Sequence, residues 1–572
     1  MNRKYRLLSL SLSLFLLLSL LLAVACRPAA AEPTPTPAPA GAIPVSPLPA
    51  GLPTGTDGQP WWNDTVYYEI FVRSFYDSDG DGVGDLNGLI EKLDYLNDGD
   101  PATTDDLGIT GLWLMPIMES PSYHGYDVVD YYTVDQEYGT VEDFQRLMDE
   151  AHKRGIRVIV DLVLNHTGRD NPWFQEAQDE GDPYRDWYLW ADEDPGYKGP
   201  WGETVWHPTG DEYFYGVFWE GMPDLNYRNP AVTEQMHDIS RFWLQEMGVD
   251  GFRLDAVKHL IEEGQLQENT EATYAWFADY QTFYESIAPQ AMVIGEVWSP
   301  TPAVVRYIDN GLDLAFEFDL AQAILNSVED GRQDGVAAQM EKVVAGYPAG
   351  QYAVFLTNHD QNRVMSELNT NADKARLAGT ILLTAPGVPF IYYGEEIGLR
   401  GIKPDEDLRR PMQWSAEENA GFTSGTPWRP PHRTYTEFNV ASESSDPNSL
   451  LSHYRALVQL RSNHEALRVG DWALVETGTP KVYAFLRFSD DEVILVLLNL
   501  RDEELADYAL SLPGGVLPAG ALTPNTQAFM LYGSGDPAGP TISADGSFSD
   551  YQPFPSLPPY SSLILQLQPA AR

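Results

Sequence analysis

Arg253 and Asp255, in the run VDGFRLDA, stand two residues apart and so share a face if that run is a strand. A neighbouring guanidinium holds a carboxylate ionised, which is the state a nucleophile needs. Glu296 follows Gly295 and precedes the apolar pair Val297-Trp298. A carboxyl among apolar neighbours keeps its proton to higher pH, which suits a general acid. Two other apolar runs end in Asn358-His359-Asp360 and Asn165-His166. A structural ion pair explains Arg253 and Asp255 alone about as well as catalysis does. Three carboxyls and two imidazoles at the ends of four separate runs are hard to explain as coincidence.

Something must bring these ends together. Short apolar runs alternate with amphipathic helical stretches from Trp61 onward. The runs are TVYYEIFVRSF, GLWLMPI, RVIVDLVLNH, VDGFRLDA, MVIGEVW, LDLAFEFD, YAVFLTNHD and VPFIYYG. Most are too short and too rich in β-branched and aromatic residues to be helices. Helical patterns such as VEDFQRLMDEAHKRG and TEQMHDISRFWLQEMG lie between them and end in Gly. Eight strands alternating with helices predict an α/β fold, a (β/α)₈ TIM barrel, with an open doubly wound sheet as the alternative. A barrel sets its active site at the C-terminal ends of its strands, where the polar residues above crowd. The long interval between the third and fourth strands predicts an inserted subdomain after strand 3, at about 167–228. The barrel's last helix is expected in NSLLSHYRALVQLRSNHEAL. Beyond it, over 471–572, short alternating runs such as KVYAFLRFS and EVILVLLNL predict a C-terminal antiparallel β domain of sandwich type.

The strings DLVLNH (161–166), GFRLDAVKH (251–259), GEVW (295–298) and FLTNHD (355–360) resemble, in order and placement, the four signature regions of the α-amylase family, glycoside hydrolase family 13. GLWLMPI, MPDLN (222–226) and GVPFIYYGEE (387–396) agree. The resemblance spans about residues 60–470 and implies roles. Asp255 matches the nucleophile and Glu296 the general acid/base. Asp360 matches the carboxylate that grips sugar hydroxyls and favours the distorted ring. Arg253 matches the residue that orients the nucleophile. His166 and His359 match donors to sugar hydroxyls, and Tyr126, in HGYDVVDYY, matches the platform under the sugar. Retention of configuration implies a carboxyl separation of about 5–5.5 Å between Asp255 and Glu296.

Membership does not fix the substrate. Ala256 after the nucleophile, Lys258-His259 beyond it, and His124 before Gly125-Tyr126 resemble α-amylases. In those enzymes Lys258 and His259 would touch sugars on the leaving-group side. NHTGRDNPWF, RRPMQW (409–414) and AGFTSGTPW (420–428) resemble oligo-1,6-glucosidases. MPDLN is intermediate between that branch and the neopullulanases. The expectation is retaining endo-hydrolysis of α-1,4 bonds in starch, glycogen and maltooligosaccharides. The alternatives are an exo-acting α-glucosidase or oligo-1,6-glucosidase, a maltodextrin glucosyltransferase, and a non-catalytic glycan-binding member of the fold.

The loop after the first strand reads Asp77-Ser78-Asp79-Gly80-Asp81-Gly82-Val83-Gly84-Asp85. Acidic oxygens at alternate positions around Gly resemble an EF-hand loop, although Gly88 stands where that loop has its bidentate Glu. Relatives in the oligo-1,6-glucosidase branch hold a structural Ca²⁺ here. That implies Asp77, Asp79, Asp81, the Val83 carbonyl and Asp85 as ligands. A second Ca²⁺, as in α-amylases, would use Asn165 and the His259 carbonyl.

A chain of 572 residues is too long for one ordinary domain. Its formal net charge of −48 excludes phosphate-neutralising contact with nucleic acid. The single cysteine, Cys26, forbids an intrachain disulfide. Basic Arg3, Lys4 and Arg6 precede an apolar run from Leu7 to Ala25, which reads as a secretory signal. Its end, Ala23-Val24-Ala25-Cys26, resembles a bacterial lipoprotein cleavage box, so residues 1–26 are expected to be a leader and Cys26 a lipid anchor to the membrane. Residues 27–60, rich in Pro, Ala and Thr, read as an extended tether. The catalytic part, over 61–470, is then expected outside the cytoplasm.

Overall fold

The computed structural model describes residues 51–569. The leader and most of the tether lie outside the described residues. The expected eight strands form: β1 (Tyr67–Ile70), β2 (Gly111–Leu114), β3 (Arg157–Leu162), β4 (Gly251–Leu254), β5 (Met292–Gly295), β6 (Leu314–Ala315), β7 (Ala353–Val354) and β8 (Val388–Tyr392). They pair in parallel in the order β6-β5-β4-β3-β2-β1-β8-β7. A parallel bridge between Phe316 and Ala353 joins the two edges, so the sheet closes into a barrel.

Each strand alternates between two cores, as the period of two requires. Leu112, Leu114, Val158, Val160, Leu162, Phe252 and Leu254 face out and pack into the large core shared with the helices. Tyr67, Trp113, Ile159, Met292, Ile294, Phe316 and Phe390 face in and fill the barrel. Above this aromatic plug the inward positions turn polar: Glu69 on β1, Asp161 on β3 and Arg253 on β4, all buried. Asp161 and Arg253 are register partners on neighbouring strands. Arg253 sits on the plug, its guanidinium 5.1 Å from the centre of the Trp113 ring.

The helices begin where the sequence signals say. Val141–Lys153 starts at Thr140, whose side chain accepts from the Asp143 N–H while Asp143 caps Thr140 in return. Pro230–Arg241 starts at Asn229, with Pro at its first position. Between β3 and β4 lies a small three-stranded antiparallel sheet of Trp190–Ala191, Glu212–Tyr215 and Trp206–Thr209. The bridge between His166 and Asp224, with the Leu225 N–H donating to the Asn165 carbonyl at 2.9 Å, ties the insertion to the end of β3. After the helix Leu450–Asn463, strands β9 (Asp471–Leu474), β10 (Val482–Phe488), β11 (Val493–Asn499), β12 (Thr526–Tyr532) and β13 (Ser562–Pro569) form one antiparallel sheet, ordered β9-β10-β11-β13-β12. A two-stranded ribbon, Leu510–Leu512 with Phe548–Tyr551, accompanies it. The two share a core including Leu486, Leu495, Leu510 and Phe548.

Candidate active site

One guanidinium organises the mouth of the barrel. Arg253 Nη1 donates to Asp255 Oδ1 at 2.7 Å and to Asp161 Oδ1 at 3.0 Å. Its Nη2 lies 3.0 Å from Glu296 Oε2, an ion contact whose angle does not meet hydrogen-bond geometry. Burial opposes the charge on Arg253, but Asp161, Tyr126, Glu296 and Asp255 outweigh it and hold its pKa well above the usual value. The cation is therefore permanent, and Asp255 and Glu296 come together because both reach it.

Glu296 is held differently from Asp255. Burial raises its pKa, and Asp255 and Asp360 add to the rise against Arg253. Glu296 Oε2 also accepts the Ala256 N–H at 3.1 Å. Ala256 adopts a left-handed conformation (φ 51°, ψ 32°), uncommon for a residue with a Cβ. The turn aims that N–H at Glu296 immediately after Asp255. A strained residue between the two carboxyls thus helps to fix their spacing.

On the far side stands Asp360. Arg409 Nη2 donates to its Oδ1 at 2.8 Å, and Arg409 Nε donates to the His359 carbonyl at 3.1 Å. Burial alone would raise the Asp360 pKa, but His359, Arg409 and Arg253 hold it well below the carboxylate range. His359 Nδ1 is 2.6 Å from Glu69 Oε1, and its Nε2 is 2.7 Å from the Tyr126 hydroxyl and 3.2 Å from Asp360 Oδ2. Burial would lower its pKa; Asp360 and Glu69 reverse that and raise it to about 9. His359 is therefore an imidazolium with both N–H groups engaged. The rings of His124, Tyr126 and His359 stack in a column, with centroids 6.1 and 5.6 Å apart.

His359 supplies a pH test. Its folded pKa is raised above its unfolded value near 6.5, so its stabilising contribution is full below that pH and is lost as pH rises through about 9. Between pH 7 and 10 the melting temperature should fall. Glu69→Gln removes one source of the raised pKa and should move that fall to lower pH, as read by calorimetry across the range. An unchanged profile in the variant would refute the link.

The other predicted residues lie around this centre. His166 is buried, and burial pushes its pKa down to about 4. Its Nδ1 faces the Asn165 amide at 3.4 Å, and its Nε2 has no hydrogen-bond partner. Nε2 is the ring atom left for a ligand. His259 is likewise held neutral by burial, its pKa pushed down to about 4. His259 Nδ1 is 2.9 Å from the Gln267 carbonyl, and its Nε2 has no partner. His124 Nδ1 accepts the Tyr126 N–H at 3.1 Å. Lys258 Nζ reaches Glu268 Oε2 at 2.8 Å and the Trp298 carbonyl at 3.0 Å, on the rim.

In the acidic loop, carboxylate oxygens of Asp77, Asp79 and Asp85 lie within 4.8 Å of one another. Asp81 is not one of this trio: it is exposed, and its Oδ1 accepts the Val83 N–H at 2.8 Å.

Three residues of the centre were not singled out from sequence: Asp161, Glu69 and Arg409. Asp161 opens the string DLVLNH, two residues past Ile159 on the inward face, so its period was readable. Glu69 is the lone acid in YYEIF, and a charge inside an apolar strand was the signal. Arg409 opens RRPMQW in an irregular segment after β8, and nothing local ties it to Asp360.

The alpha-amylase catalytic-domain model matches residues 69–470. Alpha-amylase 3 of Dictyoglomus thermophilum is 42% identical over 449 residues, covering 77% of this chain and 86% of that protein. Oligo-1,6-glucosidase of Parageobacillus thermoglucosidasius is 32% identical over 523 residues, covering 77% and 91%. The crystal structure of alpha-amylase from H. orenii superposes with a TM-score of 0.77 at 40% identity, covering 88% of this chain and 99% of that one. The relatives' activities differ, but their family is one. With the barrel closed and the family's model matched over most of its length, this chain belongs to the alpha-amylase family of glycoside hydrolases.

Proposed function

We propose that the chain is a retaining endo-hydrolase of α-1,4-glucosidic bonds in starch-like glucans. The observation that carries this reading is the contact of one buried guanidinium with both Asp255 and Glu296, with Asp360 anchored across the cavity. Asp255 attacks the anomeric carbon as the bond to the leaving oxygen breaks, and that oxygen takes the Glu296 proton. The product is a glycosyl ester on Asp255. Glu296, now ionised, takes a proton from water; the water oxygen attacks the same carbon and releases Asp255. Two inversions give retention. Arg253 Nη1, 2.7 Å from Asp255 Oδ1, orients the carboxylate for attack and receives it again as it departs. Asp360 and His166 Nε2 take sugar hydroxyls, and Tyr126 supports the ring.

The α-1,4 preference is supported by Ala256, whose small side chain leaves room where a branched one would crowd the linkage, and by Lys258-His259 at the rim. The name of the 42%-identical Dictyoglomus relative agrees. The test is a product time course from soluble starch and from a maltooligosaccharide blocked at its non-reducing end. Expected are rapid loss of polymer length and cleavage of the blocked chain. Glucose release with chain length intact would establish an exo-acting α-glucosidase instead. Chains longer than the substrate would establish a glucosyltransferase.

The same reading places one Ca²⁺ in the loop 77–85. Three convergent carboxylates are hard oxygen donors of the kind Ca²⁺ takes. Asp77 also fixes the loop, accepting from the N–H groups of Gly80 and Gly82 at 2.7 and 2.8 Å and from Thr423 Oγ1 at 2.5 Å. The ion would be structural, binding the loop after β1 to the segment at Thr423. A second cation fits Asn165 and the His259 carbonyl, with Asp224 added, because Asn165 Oδ1 and Asp224 Oδ2 are buried acceptors without a donor. Chelation should lower the melting temperature by several degrees, and added Ca²⁺ should restore it. An unchanged melt would count against both sites. Export with a lipid on Cys26 completes the proposal, since polymeric glucan is met outside the cell.

A further inference from the structure

We propose that Glu69, on β1, is a positioning residue for hydrolysis: paired with the far edge of the His359 ring, it keeps that ring a cation, and the cation fixes Asp360 against the sugar. This rests on the retaining mechanism above.

Glu69 breaks the apolar pattern of the barrel interior. It is 2% exposed, and its register partners are Trp113 on β2 and Tyr392 on β8, neither of them charged. A carboxylate buried in such surroundings is destabilising unless it is paired. Its pair is His359, whose Nδ1 lies 2.6 Å from Glu69 Oε1 and whose ring is fully buried. Residues that defy local packing rules gather where function has overridden them.

The contact decides how many hydrogens the ring carries. Its other edge faces acceptors too. Nε2 is 3.2 Å from Asp360 Oδ2 and 2.7 Å from the Tyr126 hydroxyl, which itself donates to Asp161 Oδ2 at 3.2 Å. A ring with one hydrogen can serve Glu69 or Asp360; serving both takes two. Asp360 is held on its second oxygen by Arg409 at 2.8 Å. Glu69, His359, Asp360 and Arg409 thus form a row of alternating charge that runs from the barrel wall to the cavity. The other groups around this row are engaged elsewhere. Asp161 on β3 and Arg253 on β4 pair with each other at 3.0 Å, and Trp113 covers the His359 ring edge to face at 5.7 Å. Glu395, after β8, accepts from the Tyr454 hydroxyl at 2.8 Å.

Burial favours the neutral ring, and Asp360 and Glu69 together reverse that. Without Glu69 the reversal rests on Asp360 alone, so the ring loses its second hydrogen at lower pH. Asp360 then keeps a neutral partner, and a hydrogen bond between neutral imidazole and carboxylate is weaker than one between two ions. Bonds to sugar hydroxyls tighten in the transition state, so a looser Asp360 slows the chemistry more than it weakens binding.

The full-length enzyme and its Glu69→Gln variant should be compared at pH 5.5 and pH 8 on 4-nitrophenyl α-maltotrioside. Its aryl group departs with little protonation, so ionisation of Glu296 does not mask the effect. At pH 8 the variant should lose about tenfold in kcat/KM; at pH 5.5, where its ring is again charged, less than about threefold. Melting curves at both pH values confirm that it is folded. Equal losses at the two pH values would make Glu69 structural, and no loss at either would make it idle; both overturn the proposal. Ring-¹⁵N NMR of the parent gives a reading that needs no folded variant. At pH 8 the His359 signal, assigned by its loss in His359→Gln, should show both nitrogens protonated, and a neutral ring there would overturn the proposal. Failure of the parent to hydrolyse any α-glucoside would overturn the retaining mechanism instead.

Discussion

Asp255→Asn is expected to lower kcat on starch by at least about 10⁴-fold, with KM little changed. Asparagine keeps the shape and can still accept from Arg253 Nη1, which now reaches Asp255 Oδ1 at 2.7 Å. It cannot form the ester. It also removes a carboxylate that balances Arg253, leaving the buried contact with Asp161. The fold should survive, because the barrel plug beneath Arg253 is untouched. A melting curve within a few degrees of the parent separates lost chemistry from lost structure. The sharper measurement is trapping: a fluorinated glycosyl fluoride should label the parent enzyme, and peptide mapping should find the sugar on Asp255. A label on Asp360 or Glu296 would reverse the assignment.

The parts of this site that were legible in the sequence share one property: they are read along a strand. Arg253 and Asp255 are two apart, and the inward sequence Ile159–Asp161 follows the same period. Strand order then sets neighbours side by side, as with Asp161 and Arg253. What could not be read is where loops land. Arg409 reaches Asp360 only because the irregular segment after β8 folds back over the mouth, and 49 residues separate the pair. Gln267 joins the insertion to the strand-4 loop from an unremarkable polar stretch. The calcium loop shows the same limit. Its acidic spacing is local and visible, yet the loop is held by a distant segment, the Asp77 N–H donating to the Phe422 carbonyl at 3.1 Å and the Trp428 N–H to the Gly82 carbonyl at 2.9 Å.

Glu296→Gln should lower kcat on starch by about 10³- to 10⁴-fold while leaving glucan binding intact. The amide oxygen can still take the Ala256 N–H and face Arg253 Nη2, so the side chain stays in place. What disappears is the proton. In the parent, burial together with Asp255 and Asp360 holds that proton above the usual carboxyl range, so activity should fall on the alkaline side as Glu296 ionises. The variant should lose this alkaline limb. Leaving-group chemistry gives a second reading. A 4-nitrophenyl glycoside needs little protonation to depart, so its first step should suffer far less than that of starch. The ester on Asp255 should then accumulate, because no base activates water. Azide needs no base, and in Glu296→Ala, where the space is open, it should restore turnover and yield a glycosyl azide with retained configuration. Failure of azide to rescue, with the ester shown to form, would mean that another group activates the water and that Glu296 acts only as acid.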